Sequence, residues 1–179
     1  MPELRQNFLT KEWVIIATER AKRPEDMIVH RSANPVASFV ETCPFCPGNE
    51  SKTPPEVLRV PDGNGSWQVR VVPNRFAALA RDIEPTRTIH RSRRTINGFG
   101  VHDVVIETPD HAQFTALMSD AQVADVLRIY RTLYIELSHD PRIAHITIFK
   151  NHGRDAGTSL EHPHSQLIAT PVISQQVRE

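Results

Sequence analysis

The segment from His162 to Gln166, HPHSQ, carries the densest group of chemically competent side chains in the sequence. Side chains of a β-strand alternate between its two faces, so we expect His162, His164 and Gln166 to share one face. Two imidazoles and an amide on one face are costly to bury, because each buried polar group needs a partner. A neutral imidazole, with an ordinary pKa of about 6.5, is also a competent nucleophile. The pattern therefore permits nucleotidyl transfer through a histidine, and a solvated loop leading into an edge strand also fits.

Candidate phosphate ligands occur in two other segments. The loop from Asn151 to Ser159, NHGRDAGTS, precedes HPHSQ, and glycine-containing loops of this kind can present backbone N–H groups to phosphate. Arg20 and Arg23 could neutralise a diphosphate, and the amide of Gln166 could hold a phosphoryl oxygen without protonating a leaving group. A solvated basic loop explains the two arginines as well, so their role stays open at this point.

A CxxC motif, Cys43-Pro44-Phe45-Cys46, is followed by Pro47 and Gly48. Two thiolates at this spacing can bind one zinc ion, and Gly48 lets the backbone turn around it. A redox pair usually begins a helix whose N-terminus lowers the thiol pKa, but no helical pattern follows here. The motif thus favours zinc over a redox pair or two inert buried thiols.

A tetrahedral zinc site needs two further ligands, and the chain has nine histidines. His111 lies in a turn after a predicted strand, and His162 begins the last predicted strand. Neither has zinc-finger spacing from the cysteines, so spacing alone does not assign the ligands. The competing histidines are His30, His90, His102, His139, His145 and His152.

The elements that must position these residues are mostly strands. Apolar, β-branched runs predict strands at Glu12–Thr18, Val69–Phe76, Val101–Thr108, Ile143–Lys150 and His162–Val172. Residues 42–66 and 80–97 are predicted to be loops, the second of them basic and polar. One helix is predicted from Ser119 to about Leu137, because Ser119 and Gln122 fit a capping box. This order favours an α+β domain with a mainly antiparallel sheet and one main helix packed on it.

Helical spacing predicts one largely apolar face on that helix, along which both tyrosine rings can be buried. The residues of this face are Val123, Val126, Leu127, Tyr130, Leu133, Tyr134 and Leu137.

Composition excludes several classes of function. Lys+Arg 21 and Asp+Glu 21 give no net charge, which argues against a nucleic-acid partner bound through bulk positive charge. No apolar run is long enough to cross a membrane, and the N-terminus lacks a secretory pattern. Two cysteines cannot form a disulfide framework, and thiols that bind zinc suit a reducing compartment. We therefore expect a cytoplasmic protein.

Five blocks of sequence occur in this order: EWVIIATERAKRP, CPFCPGNE, VRVVPNRFAAL, VIETPDH and FKNHGRDAGTSLEHPHSQL. Together they resemble the N-terminal half of the galactose-1-phosphate uridylyltransferase family, within the histidine-triad-like superfamily. The resemblance implies that residues 1–179 form one such domain, a half-barrel without the family's C-terminal half. It implies transfer of UMP from UDP-glucose to galactose 1-phosphate by a ping-pong mechanism through a uridylyl-histidine, and a homodimer in the full-length form.

The resemblance also implies individual roles. His164 would be the nucleophile, and Gln166 would contact phosphate and complete the catalytic pair. One structural Zn2+ per chain would be bound by Cys43, Cys46, His111 and His162. The substrate would be bound by Arg20, Arg23, Asn74, Arg75, Asn151, Gly157, Thr158, Ser159 and Gln166.

Other functions fit the same motifs. Close relatives of the family use ADP-glucose and phosphate with the same nucleophile, and Arg75 stands where some members carry an acidic residue. Triad hydrolases usually carry a histidine where this chain has Gln166, which favours transfer over hydrolysis. A third reading is an incomplete, zinc-stabilised half that binds nucleotide sugars without activity of its own.

Overall fold

The computed structural model describes residues 2–18, 37–153, 156, 158 and 160–178. Their strands are β1 (Glu3–Gln6), β2 (Trp13–Ile16), β3 (Leu58–Pro61), β4 (Trp67–Pro73), β5 (Arg87–His90), β6 (Arg93–Asn97), β7 (Val101–Ile106), β8 (His145–Phe149) and β9 (His164–Thr170). Their α-helices are α1 (Asp120–Ser138) and α2 (Gln175–Arg178), and single 3₁₀ turns occur at Glu50–Lys52 and Thr115–Leu117.

The strands form two antiparallel sheets. One has five strands in the order β3-β4-β7-β9-β8, and the other has four in the order β2-β1-β6-β5. In the larger sheet β7 pairs with β9, which places Ile106 opposite His164 and Val104 opposite Gln166. Two open antiparallel sheets with one main helix confirm the predicted α+β half-barrel class.

The five-stranded sheet buries a different layer on each face. On the first, which we call the helix face, Val71, Val105 and Leu167 pack against Ile129 and Leu133 of α1. On the second, the cysteine face, Val72, Val104 and Ile106 pack around the CxxC turn and Trp67. Because side chains of a strand alternate, consecutive residues of β9 serve opposite faces.

The capping box predicted for α1 is confirmed. The Ser119 hydroxyl accepts a hydrogen bond from the Gln122 backbone N–H, and the Gln122 side chain accepts one from the Ser119 backbone N–H. The helix ends at Ser138, one residue beyond the expected end. Within the described residues, no helix has the length and apolarity needed to cross a membrane.

The predicted apolar face of α1 is too wide. Leu127 and Tyr134 are 56% and 52% exposed, so burial of the second tyrosine ring is wrong. Ile129, which lay outside the predicted face, is buried against the sheet. The reason is geometric, since one further residue turns the helix by about 100° and carries the next side chain away from the sheet.

Four strands escaped the sequence-based prediction, the first of them β1. The predicted loop at 42–66 contains β3, and the predicted loop at 80–97 contains the β5–β6 hairpin, whose second strand pairs with β1. β5 and β6 are mostly polar and exposed, with Ile96 their one buried residue. An alternating apolar pattern cannot reveal such strands, because they are stabilised by backbone hydrogen bonds to neighbouring strands rather than by buried side chains.

Candidate functional site

Four side chains that are far apart in sequence converge on the cysteine face. Cys43, Cys46, His111 and His162 are all buried, and their potential ligand atoms lie within 4.8 Å of one another. The Cys46 Sγ is 3.4 Å from His111 Nδ1 and 3.6 Å from His162 Nδ1, and the two Nδ1 atoms are 3.3 Å apart. Tetrahedral bonds of about 2.3 Å to sulfur and about 2.0 Å to nitrogen would give nitrogen–sulfur separations of about 3.5 Å. The four residues therefore fit a metal ion.

The orientation of His162 supports the same conclusion. Its Nε2 lies 2.8 Å from the Thr108 carbonyl oxygen, so Nε2 carries the proton and donates, and Nδ1 turns its lone pair into the cluster. Burial lowers the pKa of His162 to about 4, and burial also lowers the pKa of His111. Both imidazoles are therefore neutral, which is the form that binds metals.

Among the contacts of the described residues, neither thiol meets a positively charged side chain. Burial raises the pKa of the Cys43 thiol, although the backbone N–H of Phe45 donates to its Sγ at 3.4 Å and that of Val40 donates to Cys46 Sγ at 3.3 Å. Two sulfur atoms and two nitrogen lone pairs directed at one point are costly to bury unless a cation lies among them. The cluster is thus built for a positive ion.

Local turn chemistry explains how the CxxC motif reaches the cluster. The backbone N–H of Cys46 donates to the Cys43 carbonyl, and the Asn49 side chain donates to that same carbonyl at 2.7 Å and to the Glu41 carbonyl at 2.9 Å. Gly48 has φ +85, a conformation that side chains disfavour. Asn49 was missed by sequence reasoning, although asparagine after a glycine turn is a recognisable signal.

His164 begins β9 one residue after Pro163, which has no backbone N–H to donate. The predicted strand start at His162 is therefore two residues too early. His164 Nδ1 lies 2.7 Å from the His162 carbonyl oxygen. Since a carbonyl only accepts, Nδ1 carries the proton and Nε2 carries the lone pair. The Phe45 ring stands edge-on to both imidazoles, at 6.0 Å and 5.4 Å between ring centroids, which places both on the cysteine face.

Gln166 lies two residues beyond His164 and belongs to a polar chain that crosses to β7 and the end of β4. Its Oε1 lies 2.9 Å from His102 Nε2 and 3.4 Å from Asn74 Nδ2. Asn74, which we expected to contact nucleotide, is thus adjacent to Gln166. The neighbouring Arg75 is exposed to solvent.

The remaining candidates from the phosphate loop are only partly described. Asn151 follows β8, whose Phe149 pairs with Gln166, so Asn151 approaches the start of β9. The Thr158 hydroxyl donates to the Leu160 carbonyl at 3.2 Å. The candidates that lie outside the described residues are Arg20, Arg23, Gly157 and Ser159.

The histidines that spacing left in competition are now separated. His102 lies beside Gln166, whereas His90, His139 and His152 are exposed. His30 lies outside the described residues. Within the described part of the chain, only His111 and His162 join the two cysteines.

A second polar cluster, centred on the buried Glu107, lies on the helix face and was missed by sequence reasoning. Glu107, which is 3% exposed, contacts the Lys150 ammonium group and lies 3.1 Å from the Tyr130 hydroxyl. That hydroxyl is also 2.7 Å from Ser165 Oγ, and Lys150 donates to Thr115 Oγ1 at 2.8 Å. Burial, with a contribution from Glu107, raises the pKa of Tyr130 far above its usual range.

Comparison with known proteins relates this site to one family. The domain described as galactose-1-phosphate uridyl transferase, N-terminal domain, matches residues 1–174. An ADP-glucose phosphorylase of Arabidopsis thaliana is 40% identical over 178 residues, covering 98% of this chain and 50% of that protein. A galactose-1-phosphate uridylyltransferase of Thermotoga maritima is 29% identical over 178 residues, covering 99% of this chain and 49% of that protein.

Solved structures give the same relation. The structure of an ADP-glucose phosphorylase from Arabidopsis thaliana with bound ADP-glucose superposes with a TM-score of 0.68 and 38% identity, covering 99% of this chain and 51% of that one. A uridylyltransferase structure gives 0.70 and 25%, covering 98% and 48%. The chain thus spans about half the length of these relatives.

Proposed function

The chain belongs to the galactose-1-phosphate uridyl transferase family, a family of nucleotidyltransferases, and on this premise we propose that it passes a nucleotidyl group through His164. One observation carries the proposal. The hydrogen bond from His164 Nδ1 to the His162 carbonyl leaves the lone pair on Nε2. That nitrogen is the nucleophile, and the amide of Gln166 lies two residues away on the same strand face.

The transfer takes place in two displacements. In the first, His164 Nε2 attacks the α-phosphorus of a nucleoside diphosphate hexose, a nitrogen–phosphorus bond forms, and the phosphorus–oxygen bond to the hexose 1-phosphate breaks. The His162 carbonyl, which accepts from Nδ1, stabilises the positive charge that grows on the imidazole. In the second displacement a phosphate oxygen of the acceptor attacks the same phosphorus and releases His164.

The departing hexose 1-phosphate leaves as an anion and needs no proton. An amide suits this chemistry, because Gln166 can donate a hydrogen bond to a phosphoryl oxygen and cannot act as a general acid. Asn74, Asn151 and Thr158 are proposed as further substrate contacts, as are Arg20, Arg23, Gly157 and Ser159 outside the described residues and the exposed Arg75.

We assign the metal of the buried cluster as a structural zinc ion. Two sulfur and two imidazole ligands suit zinc, and four protein ligands leave no open position for substrate. His162 connects the two sites, because its ring belongs to the cluster while its carbonyl accepts the hydrogen bond from His164. The cluster therefore fixes the backbone that orients the nucleophile.

The favoured substrates are ADP-glucose and inorganic phosphate, which would yield glucose 1-phosphate and ADP. The support is the 40% identity to an ADP-glucose phosphorylase, against 29% to a uridylyltransferase over the same length. The second candidate pair is UDP-glucose and galactose 1-phosphate, which the family match and several uridylyltransferase relatives favour. A homodimer of the full-length form stays a prediction.

Intact-protein mass spectrometry tests this function. The 179-residue chain is mixed with ADP-glucose or with UDP-glucose, and phosphate or galactose 1-phosphate is then added. We expect an adenylyl adduct that phosphate removes, whereas a uridylyl adduct removed by galactose 1-phosphate would support the second candidate. His164→Gly should abolish the adduct while retaining the fold and the metal, and the exposed His90→Ala serves as the matched control.

Two results would contradict the proposal. An adduct that persists in the His164→Gly variant would exclude the nucleophile. No adduct from either nucleotide sugar, in a folded chain that contains its metal, would exclude transfer by these 179 residues alone.

A further inference from the structure

Asn74, His102 and Gln166 form a hydrogen-bonded chain beside His164, and two backbone N–H groups fix its direction. We propose that His102 is a positioning residue, which sets the orientation of the Gln166 side-chain amide without touching the substrate. The inference rests on the proposed function for its catalytic consequence, and on hydrogen-bond geometry for the orientation itself.

The donor-to-acceptor direction of these hydrogen bonds is set first at Ala78. Its backbone N–H donates to His102 Nδ1 at 3.0 Å, so Nδ1 must carry a lone pair. The proton of the neutral ring then resides on Nε2, which lies 2.9 Å from Gln166 Oε1. His102 is 4% exposed, and its ring is therefore held by protein contacts rather than by solvent.

Asn74 supplies a second, independent donor to the same oxygen. The backbone N–H of Phe76 donates to Asn74 Oδ1 at 2.9 Å, which turns the Asn74 amide nitrogen towards Gln166 Oε1 at 3.4 Å. Asn74 Nδ2 lies 3.1 Å from His102 Nε2. The two nitrogens lie close together because both donate to the same acceptor, Gln166 Oε1. A flipped Gln166 would place a third donor among them with no acceptor present.

The amide N–H groups of Gln166 consequently lie on the branch of the side chain away from His102 and Asn74. His102 and Gln166 are diagonal neighbours on adjacent strands, because Gln166 pairs with Val104. Gln166 and His164 are two residues apart on one face, a separation of about 7 Å along the strand. A phosphoryl group bonded to His164 Nε2 therefore meets N–H donors, whereas a flipped amide would oppose phosphate oxygens with a carbonyl oxygen.

Two variants with side chains of similar length distinguish a positioning role of His102 from a packing role. His102→Gln keeps an N–H donor near the position of Nε2, and His102→Met removes it. In single-turnover reactions with saturating ADP-glucose or UDP-glucose, we expect the Met variant to form the adduct about 10- to 100-fold more slowly, as when one preorganised donor is lost. The Gln variant should retain most of the wild-type rate of adduct formation. In both variants the Kd for the nucleotide sugar should change much less than this rate.

Equal loss of rate in both variants, matched by equal loss of thermal stability, would indicate a packing role and overturn the proposal. Unchanged rates in both variants would overturn it as well. Combination with Gln166→Leu gives a further test, since a residue that acts only through Gln166 adds no defect once Gln166 is replaced. Additive defects in the double variant would exclude action through Gln166.

Nuclear magnetic resonance tests the orientation without catalysis. Long-range correlations in the 15N-histidine-labelled chain should show His102 protonated on Nε2 and unprotonated on Nδ1. A proton on Nδ1 would overturn the inference even if adduct formation is normal. If the wild-type protein forms no adduct, the proposed function fails. The His102 tautomer would still show whether the hydrogen bonds among Asn74, His102 and Gln166 orient the Gln166 amide.

Discussion

Two polar clusters with buried members lie on opposite faces of the same sheet, and the unfavourable free energy of burying their polar groups is offset in different ways. On the helix face the Lys150 ammonium group contacts the Glu107 carboxylate, and the hydroxyls of Tyr130 and Thr115 contact the pair. The Tyr130 hydroxyl also bonds to Ser165 Oγ. On the cysteine face four lone-pair donors converge, and within the described part of the chain their mutual contacts include no positively charged side chain. The first cluster is electrically complete, and the second requires a cation.

The cluster on the cysteine face is therefore the one that could bind a metal. Both clusters also hold β9 in place, each from one face of the sheet. Ser165 bonds to Tyr130 on the helix face, while the flanking His164 contacts Phe45 on the cysteine face. The strand that carries the proposed nucleophile is therefore anchored on both sides. Loss of the metal and loss of the ion pair should then have separable effects, which three variants can measure.

Removal of the metal should have the largest effect. Cys46→Ser, or a strong chelator, is expected to reduce zinc from about one per chain to none, because binding and folding are coupled. Loss of a ligand present at about 100 to 1,000 times its Kd lowers stability by about 3–4 kcal/mol. For a domain of this size that corresponds to about 10 °C or more in Tm. Elemental analysis and thermal unfolding measure both quantities. A metal-free chain with an unchanged Tm would refute the cluster's structural role.

Local signals in the sequence predicted one part of the site well. The alternation of side chains along HPHSQ indicated that His164 and Gln166 share a face, and the turn residues after Cys46 favoured a metal-binding loop over a helix. The capping box at Ser119 fixed the start of α1. Each of these features depends on residues within a few positions of one another.

Features set by distant contacts were not predictable from spacing. His111 joins Cys46 across 65 positions, so only resemblance to a family suggested it as a ligand. His102 was one of several histidines that spacing could not separate. Its tautomer is set by a hydrogen bond from the backbone N–H of Ala78, 24 positions away, a contact that no local pattern reveals. The Glu107 pair likewise joins the end of one strand to Lys150, 43 positions later.

Replacement of Glu107 should have an intermediate effect that leaves the metal in place. Glu107→Gln keeps the shape and an acceptor for Tyr130 but removes the charge that Lys150 contacts. Breaking a buried pair costs several kcal/mol, and because the Lys150 side chain is 27% exposed we expect about 1–3 kcal/mol here. Urea unfolding measures the loss, with zinc content as the control. Loss of zinc in this variant would show that the two clusters depend on each other.

Removal of a single hydroxyl should have the smallest effect and test the anchoring of β9 most finely. Tyr130→Phe keeps the ring but removes the hydroxyl that lies 2.7 Å from Ser165 Oγ and 3.1 Å from Glu107. One buried hydrogen-bonding group is worth about 1 kcal/mol, so Tm should fall by a few degrees with zinc retained. Since Ser165 and His164 face opposite ways, adduct formation should stay near the wild-type rate. A large loss of rate with normal stability would mean that the helix face positions the nucleophile as well.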